Sequence, residues 1–239
     1  MRVIKCENYD EMSRVAARIV AAQLVLKPDS VLGLATGSTP VGMYAELVKM
    51  NKEGKIDFAD VKTFNLDEYF PIDRANDQSY YYFMNDNLYS KVNMKPENVY
   101  IPNGSAKCAD EECKSYEMKI EDNCGVDLQV LGIGNNGHIG FNEPADELSD
   151  VTHKIAISES TVEANSRFFA SADDVPREAL TMGMATIMKA RKIILMVSGA
   201  NKNAVLKKVL SGKITTDVPA TMLNMHSDVV IIADKDALA

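Results

Sequence analysis

Short runs of apolar residues recur along the chain, and segments with helical periodicity separate them. The most apolar runs lie at Ser30–Leu34, Val126–Ile133, Lys192–Ser198 and Asp228–Ala233. A strand that is apolar at nearly every position is buried on both faces, which is typical of a parallel sheet covered by helices. These runs therefore indicate a parallel sheet with helices packed on it.

The order of the segments predicts an open α/β fold. It has a single doubly wound, mostly parallel, Rossmann-like sheet with helices on both faces. The predicted strands are Arg2–Lys5, Ser30–Leu34, Val61–Leu66, Val126–Ile133, His153–Ile157, Lys192–Ser198 and Asp228–Ala233. The predicted helices are Met12–Leu24, Pro40–Lys52, Gln78–Lys91, Asp110–Asp122, Glu178–Ala190 and Asn201–Leu210. Ligands bind such sheets where loops leave the carboxyl ends of the strands.

Composition and charge exclude several classes of protein. The 239 residues include 26 Lys and Arg against 34 Asp and Glu, a net charge of -8, so the clustered cations of a nucleic-acid-binding protein are missing. No run reaches the roughly 20 apolar residues of a membrane span, and no secretory signal is recognisable. The four cysteines lack CxxC spacing, which indicates reduced thiols and no metal site. We expect one cytoplasmic domain spanning residues 1–239.

The loop Ala35–Pro40 combines small residues with hydroxyl groups. Gly37 allows close approach to a ligand, and Thr36, Ser38 and Thr39, with the free N–H groups at the start of the next helix, can form an anion site. An ordinary N-cap by Thr39, with Pro40 as the first helical residue, is the alternative, and the loop alone favours it. The pattern GxxxxGK[ST] does not occur, so a single phosphate is the natural ligand.

Two adjacent acids, Asp67 and Glu68, follow the predicted strand Val61–Leu66 directly. One carboxylate at this position can serve as a general base. An Asp with its reference pKa near 3.9 is ionised at neutral pH unless burial shifts it. An Asp that only caps a loop explains the pattern equally well.

The loop Gly132–Pro144 contains a formal GxGxxG, but a Gly- and Pro-punctuated segment follows instead of the long helix that a dinucleotide site requires. Its His138 has Glu143 five residues later, and a His oriented by a carboxylate is an acid–base group with a reference pKa near 6.5. A structural His in a turn is the alternative. It is weaker because this loop and Asp67 should converge at one edge of the sheet.

Two cations complete the candidate site. Lys202 lies in the first turn after the strand Lys192–Ser198, where it faces the positive end of a helix dipole. That arrangement is unfavourable unless an anion binds between them. Arg167 lies in the polar-to-aromatic segment Ala164–Phe169, which could fold over a site. Each cation by itself is more often a solvated surface residue.

Six motifs occur in a characteristic order: LATGSTPVGMY at 34–44, TFNLDEY at 63–69, QSYYYFM at 78–84, LGIGNNGHIGFNEP at 131–144, ANSRFF at 164–169 and SGANK at 198–202. Along nearly its whole length the chain resembles the glucosamine-6-phosphate deaminase family. The GHIGFNEP segment separates that family from the related 6-phosphogluconolactonases. The resemblance implies conversion of D-glucosamine 6-phosphate to D-fructose 6-phosphate and ammonia without a metal or an organic cofactor.

The resemblance also implies roles for individual residues. Asp67 would move a proton between C2 and C1 through an enolamine, His138 would help to open the pyranose ring, and Glu143 would hold and tune His138. A lid at about 157–180 would exclude water from the enolamine. The phosphate would be bound by Thr36, Gly37, Ser38, Thr39, Arg167 and Lys202.

The chain departs from some family members at two places. Asn136 stands where some members have Asp, so it would orient the imidazole without offering a charge, and we expect a different pH profile. Allosteric members have a C-terminal extension. They also have basic effector-site residues after the NEP segment, where this chain has Asp146, Glu147 and Asp150. We therefore expect no strong activation by N-acetylglucosamine 6-phosphate.

Other functions stay open on the sequence alone. A related enzyme would act as a galactosamine-6-phosphate deaminase or a 6-phosphogluconolactonase-like enzyme. A non-catalytic sugar-phosphate-sensing module would need a DNA-binding domain, for which the chain has neither the room nor the basic composition. In each case the predicted partner is a small phosphosugar, and the oligomeric state is open, a homo-oligomer included.

Overall fold

The computed structural model describes residues 1–157, Val162 and residues 175–239. The strands of these residues are β1 Arg2–Cys6, β2 Val31–Leu34, β3 Lys62–Asn65, β4 Asp67–Phe70, β5 Val99–Tyr100, β6 Leu128–Leu131, β7 His153–Ala156, β8 Glu178–Thr181, β9 Lys192–Val197 and β10 Val229–Asp234. Their α-helices are α1 Tyr9–Leu26, α2 Val41–Lys52, α3 Tyr80–Asn87, α4 Ala109–Asp122, α5 Met184–Met188 and α6 Asn203–Leu210.

Seven of the strands form a parallel sheet in the order β1-β10-β9-β6-β2-β3-β5. The predicted doubly wound α/β architecture is confirmed. Strands β2, β6 and β10 are buried at every position, as their apolar composition predicts. The chain runs from β2 through β3 to β5 at one edge, then returns to β6 and proceeds through β9 to β10. The direction of winding therefore reverses between β2 and β6, where a ligand crevice is expected at the carboxyl ends.

Helices cover both faces of this sheet. Along β9, Ile193, Leu195 and Val197 belong to one hydrophobic core, whereas Ile194 and Met196 belong to another, because successive side chains of a strand point to opposite faces. Helices α1, α2 and α3 complete the core of Ile194, and α4, α5 and α6 complete the core of Ile193. No helix of the described residues has the length and apolar character that crossing a membrane requires.

A second sheet of three antiparallel strands, in the order β4-β8-β7, lies beyond the carboxyl end of β3 and was not predicted. Only Leu66 separates β3 from β4. Its N–H donates to the Leu34 carbonyl in the larger sheet (3.0 Å), and its carbonyl accepts from the N–H of Met182 beside β8 (2.8 Å). The chain thus passes directly from one sheet into the other, and Asp67 is the first residue after the crossing.

The predicted helix Glu178–Ala190 is wrong in its first half. Its residues Glu178–Thr181 form β8, which pairs with both β4 and β7, and α5 begins only afterwards. Between the two elements, Gly183 packs on the backbone of Asp150 and Val151, where a Cβ would lie 2.3 Å from the Val151 oxygen. Strand pairing and this close contact override the helical periodicity of the segment.

Candidate functional site

The carboxyl ends of β9, β6, β2 and β3 lie side by side at one edge of the larger sheet. The segments that follow these strands are, in that order, 198–202, 132–144, 35–40 and 66–67. All four contain residues that the sequence predicts for the site. The segment after β6 reaches over to the end of β3, since a Cβ on Gly140 would lie 3.3 Å from Oδ2 of Asp67. The fold therefore brings the acid–base candidates into one crevice.

Asp67 is a buried carboxyl group without hydrogen-bond donors among the described residues. It is 6% exposed. Burial, assisted by the charge of the adjacent Glu68, raises its pKa to about 8. A carboxylate that no donor stabilises binds a proton strongly, which suits a general base working near neutral pH. Burial supplies the shift that the sequence leaves open, and Asp67 caps no turn in the described chain.

Glu68 is equally buried, but its carboxylate is engaged elsewhere. It accepts hydrogen bonds from the N–H groups of Tyr80 (2.8 Å) and Tyr81 (3.0 Å) at the start of α3, and from Tyr69 (2.9 Å). Burial raises the pKa of Glu68 to about 7, while these donors act in the opposite direction. Of the two adjacent acids, Glu68 anchors α3 to β4 and Asp67 is left for the crevice.

His138 and Glu143 meet inside the loop after β6. Nδ1 of His138 lies 3.2 Å from Oε1 of Glu143, an ion-pair distance when the imidazole is protonated. The ring packs on Gly134, where a Cβ would lie 2.3 Å from the nearest ring atom. A glycine of the formal GxGxxG thus makes room for a histidine. The spacing of five residues in the sequence correctly indicates that the carboxylate reaches the ring.

Asn136 supports this pair from the other side of the carboxylate. Its Nδ2 donates to Oε2 of Glu143 at 2.5 Å, and its Oδ1 accepts the backbone N–H of His138 at 3.1 Å. The sequence suggests that Asn136 orients the imidazole itself. In the structure its side-chain amide instead donates to Glu143, and the other oxygen of Glu143 contacts the ring. The contacts therefore run from Asn136 through Glu143 to His138.

The loop after β2 is held by a tyrosine of α1. The Tyr9 hydroxyl donates to the Ser38 carbonyl (3.0 Å) and accepts the N–H of Gly42 (2.9 Å). Within the loop Gly37 has φ of +90°, a left-handed conformation that other residues rarely adopt. The bend exposes Gly37 and Ser38 at the crevice edge.

The polar groups of this loop are not used by the fold. Helix α2 begins at Val41, with Pro40 at the cap position and no side-chain cap, so the predicted cap by Thr39 is wrong. Within the described residues, the hydroxyls of Thr36, Ser38 and Thr39 and the N–H groups of 36–39 and 41 have no hydrogen-bond partner. A row of unused donors at a helix start favours an anion.

Lys202 ends the 3₁₀ turn Ala200–Lys202 and lies at the cap of α6. Burial lowers the pKa of its ammonium group, and no carboxylate of the described chain pairs with it. The turn is held by Asp234 at the end of β10, which accepts the Ser198 hydroxyl and the Gly199 N–H. A half-buried cation without a counter-charge, beside a helix start, is again suited to an anion.

Arg167 and most of the predicted lid, residues 157–180, lie outside the described residues, and their roles stay predictions. The last residues of the predicted lid, 178–180, belong to the paired strand β8, so the lid prediction is wrong at that end. Ile157 and Val175, which flank residues 158–174, share a hydrophobic cluster with Tyr69 of β4. The segment therefore begins and ends beside the strand that carries Asp67.

The other candidate side chains serve the fold. His153 Nδ1 lies 2.9 Å from the Val151 carbonyl, and His226 contacts the Ala190 carbonyl (2.7 Å) and accepts the N–H of Asp228 (3.0 Å). All four cysteines are free. In residues 1–157 and 175–239, no three His, Cys, Asp or Glu side chains are placed to hold a metal ion.

Comparison with known proteins decides the family. A family profile described as glucosamine-6-phosphate isomerases/6-phosphogluconolactonase matches residues 7–232. The chain belongs to this family. It is 56% identical to the glucosamine-6-phosphate deaminase of Halothermothrix orenii over 237 residues, 99% of this chain and 98% of that one. Identity to the Clostridium perfringens deaminase is 55% with the same coverage.

Solved structures of the family agree with this assignment. A monomeric glucosamine-6-phosphate deaminase matches with a TM-score of 0.97 at 43% identity, covering 99% of this chain and 98% of its own. The 6-phosphogluconolactonase of Thermotoga maritima matches at 0.77 with 20% identity, covering 98% of this chain and 99% of its own, which shows a shared fold. The resemblance that the six motifs indicate is confirmed.

Several residues that shape the crevice escape reasoning from sequence alone. Tyr9 and Gly140 carry no local signal, since their partners lie far away in sequence or depend on the path of a loop. Asp234 had a usable signal, because it is an acid at the end of an apolar strand beside the Lys202 loop. Thr181 lies within the segment that was predicted as a helix.

Proposed function

We propose that the chain converts D-glucosamine 6-phosphate and water to D-fructose 6-phosphate and ammonia. The observation that carries this proposal is the convergence at Gly140, where the loop of His138 and Glu143 meets the donor-free carboxyl of Asp67. Relatives at 56% and 55% identity that are named as deaminases support the same substrate.

The phosphate of the substrate is bound by the unused donors of the crevice. Thr36, Ser38 and Thr39 supply hydroxyls, the backbone at Gly37 supplies N–H groups, and Lys202 supplies an unpaired charge. Arg167 is proposed as a further phosphate ligand on the strength of the motif. Binding the remote phosphate fixes the sugar so that C1 and C2 lie near the acid–base residues.

Ring opening is the task of His138. The C1–O5 bond breaks, the ring oxygen gains a proton and the anomeric hydroxyl loses one, which leaves an aldehyde at C1. An imidazole can carry both protons near neutral pH, and the Glu143 carboxylate stabilises the imidazolium that forms in between. Asn136 keeps Glu143 in place through its 2.5 Å hydrogen bond.

Asp67 then moves the proton between carbons. Its carboxylate removes the hydrogen at C2 while a proton passes from the C2 ammonium group to the C1 oxygen, which gives an enolamine, and Asp67 then returns its proton to C1. The resulting iminium at C2 takes up water and releases ammonia, which leaves the ketone of fructose 6-phosphate. The ammonium group of the bound aminosugar favours the ionised form of Asp67, so substrate binding itself prepares the base.

Ammonia release from glucosamine 6-phosphate by the purified chain tests this proposal directly. Galactosamine 6-phosphate and 6-phosphogluconolactone are the comparison substrates, and we expect clearly faster turnover of glucosamine 6-phosphate. Asp67→Asn should abolish ammonia release while calorimetry still detects binding of the phosphosugar. Hydrolysis of the lactone without ammonia release, or full turnover by the Asp67→Asn variant, would contradict the proposal.

The remaining parts of the proposal concern setting and regulation. We propose that the enzyme works in the cytoplasm, in line with its four free cysteines. A solved relative is described as a monomeric deaminase, and we propose that this chain also works as a monomer. Hyperbolic kinetics with and without N-acetylglucosamine 6-phosphate are expected, and sigmoidal kinetics abolished by that compound would contradict this.

A further inference from the structure

Thr181 lies where the two halves of the acid–base machinery meet. It is fully buried, it ends β8, and its register partner in β4 is Asp67 itself. Directly opposed residues of antiparallel strands have Cβ atoms roughly 4.5–5.5 Å apart. The backbone position of Thr181 is therefore coupled to that of Asp67.

The side chain of Thr181 contacts the other half. Its Oγ1 accepts the backbone N–H of Phe141 at 3.1 Å, and Phe141 lies between His138 and Glu143 in the loop after β6. A Cβ on Gly140 would lie 2.9 Å from this oxygen and 3.3 Å from Oδ2 of Asp67. At Gly140 the loop thus passes between the Thr181 hydroxyl and the Asp67 carboxyl.

The adjacent residue Asn142 also fixes this loop, but through a different contact. Asn142 donates to the carbonyls of Ile139 (2.9 Å) and Met182 (2.8 Å), which fixes the loop to the residue after β8. That bond holds the loop to the sheet, but it does not involve the strand position opposite Asp67. The Thr181 hydroxyl is the described side-chain contact that joins the register partner of Asp67 to the His138 loop.

We propose that Thr181 is a positioning residue that sets the distance between the proton shuttle of His138 and the base Asp67. The inference rests on the proposed function. The open-chain sugar must present C2 to Asp67 without moving after His138 has opened the ring, so the two groups need a fixed separation. A displacement of about 1 Å in such a constellation can cost about 100-fold in rate.

The test compares variants that keep or remove the hydroxyl. Thr181→Val keeps the shape and removes the acceptor, and we expect kcat to fall about 10- to 100-fold with KM within about threefold, because the phosphate loops are untouched. Thr181→Ser restores the acceptor and should stay within about threefold of wild type. Thr181→Ala provides a second comparison with Ser if the Val variant does not fold, with an expected kcat ratio of at least about 10.

Thr186→Val is the matched control. Thr186 is also a buried threonine, and its hydroxyl donates to Glu117 at 2.7 Å, away from the crevice. This change should lower stability and leave kcat of the folded enzyme unchanged. A pH profile for each variant adds a second readout, because a structural defect alone leaves its shape unaltered, whereas a displaced loop beside Asp67 shifts its acid limb.

The outcomes separate the two proposals. Wild type that releases ammonia, with Thr181→Val or Thr181→Ala matching the kcat and pH profile of Thr186→Val, overturns the positioning role and leaves the proposed function intact. Wild type that releases no ammonia from glucosamine 6-phosphate overturns the proposed function and this inference with it. A selective loss of kcat in the hydroxyl-free variants, rescued by Ser, supports both.

Discussion

Two buried aspartates lie at opposite ends of the parallel sheet, and their pKa values are shifted in opposite directions. Asp67, at the carboxyl end, is 6% exposed and has its pKa raised to about 8 by burial and the charge of Glu68. Asp127, at the amino end before β6, is 5% exposed. Burial acts on it in the same way, but hydrogen bonds and cations outweigh burial and lower its pKa.

The difference lies in the donors. Asp127 accepts hydrogen bonds from Lys27 (2.5 Å), Arg191 (2.6 Å) and the backbone N–H of Val31 (2.8 Å). Asp67 has none among the described residues. Burial alone therefore does not decide what an acid does. The acid with donors ties the start of β2 to that of β6, and the acid without donors is the proposed base.

Replacing Asp67 has the largest expected effect on activity and an opposite effect on stability. Asp67→Asn should reduce kcat by about 100- to 10,000-fold, the usual contribution of a general base. The folded chain holds the Asp67 proton up to about pH 8, whereas the unfolded chain releases it near pH 4, so wild-type stability falls as pH rises between these values.

The Asp67→Asn variant lacks that decline. Its free energy of unfolding should exceed that of wild type above pH 8 by up to about 5–6 kcal/mol, because the rise of the Asp67 pKa from 3.8 to about 8 spans roughly four units at about 1.4 kcal/mol each. Urea unfolding at pH 6 and at pH 9, alongside ammonia release, measures both effects. A variant that is less stable than wild type at pH 9 would contradict the account of Asp67 as an unstabilised acid.

Asp127→Asn is the reciprocal change. Loss of a charged acceptor shared by two cations and an N–H should destabilise the fold by about 2 kcal/mol, with the exposed cations contributing the smaller part. The lowered pKa of Asp127 contributes stability above the unfolded pKa near 3.9, and this is lost as pH falls through the folded value. The variant should therefore differ from wild type at pH 7 and converge with it in acid.

Activity supplies the control for Asp127. Because it lies at the opposite end of the sheet from the crevice, kcat and KM of the folded Asp127→Asn variant should match wild type. A selective loss of kcat would mean that the two ends of the sheet are coupled, and the contrast between a structural and a reactive acid would fail.

The pH dependence of activity distinguishes Asp67 from Glu68. The rate constant kcat/KM reports ionisation in the free enzyme, so it should rise with pH through about 8 as Asp67 loses its proton. Glu68→Gln removes the neighbouring negative charge, which lowers the pKa of Asp67 and should raise kcat/KM a few-fold at pH 6 relative to the plateau. An unchanged acid limb would show that Glu68 does not act on Asp67 through its charge.

The sequence predicts where Asp67 lies far better than it predicts the surroundings that set its pKa. Apolar runs located β3 and β6, and the carboxyl-end rule then brought Asp67 and His138 to one edge. The pKa shift of Asp67 could not be predicted from sequence. It depends on the absence of a hydrogen-bond donor to its carboxylate among the described residues, and on Glu68 accepting the N–H groups at the start of α3 instead. Strand β4 was missed because Asp67 and Glu68 make it resemble a loop, and β8 was missed because its residues continue the helical periodicity of Glu178–Ala190.

Asn136→Asp gives the smallest expected effect and extends the comparison to a third acid. Glu143 now resembles Asp127 in having a donor, the amide of Asn136 at 2.5 Å. The carboxylate introduced by Asn136→Asp would face the Glu143 carboxylate instead, which favours a proton shared between them. Glu143 would then resemble Asp67 in having a neighbouring acid in place of a donor. We expect kcat to change only a few-fold at its optimum and the pH–rate curve to be displaced, because the carboxylate that stabilises the imidazolium of His138 is altered. Superimposable curves for wild type and variant would show that the donor on Glu143 is irrelevant to the proton shuttle, and that donors decide the behaviour of acids in this fold only where burial is nearly complete.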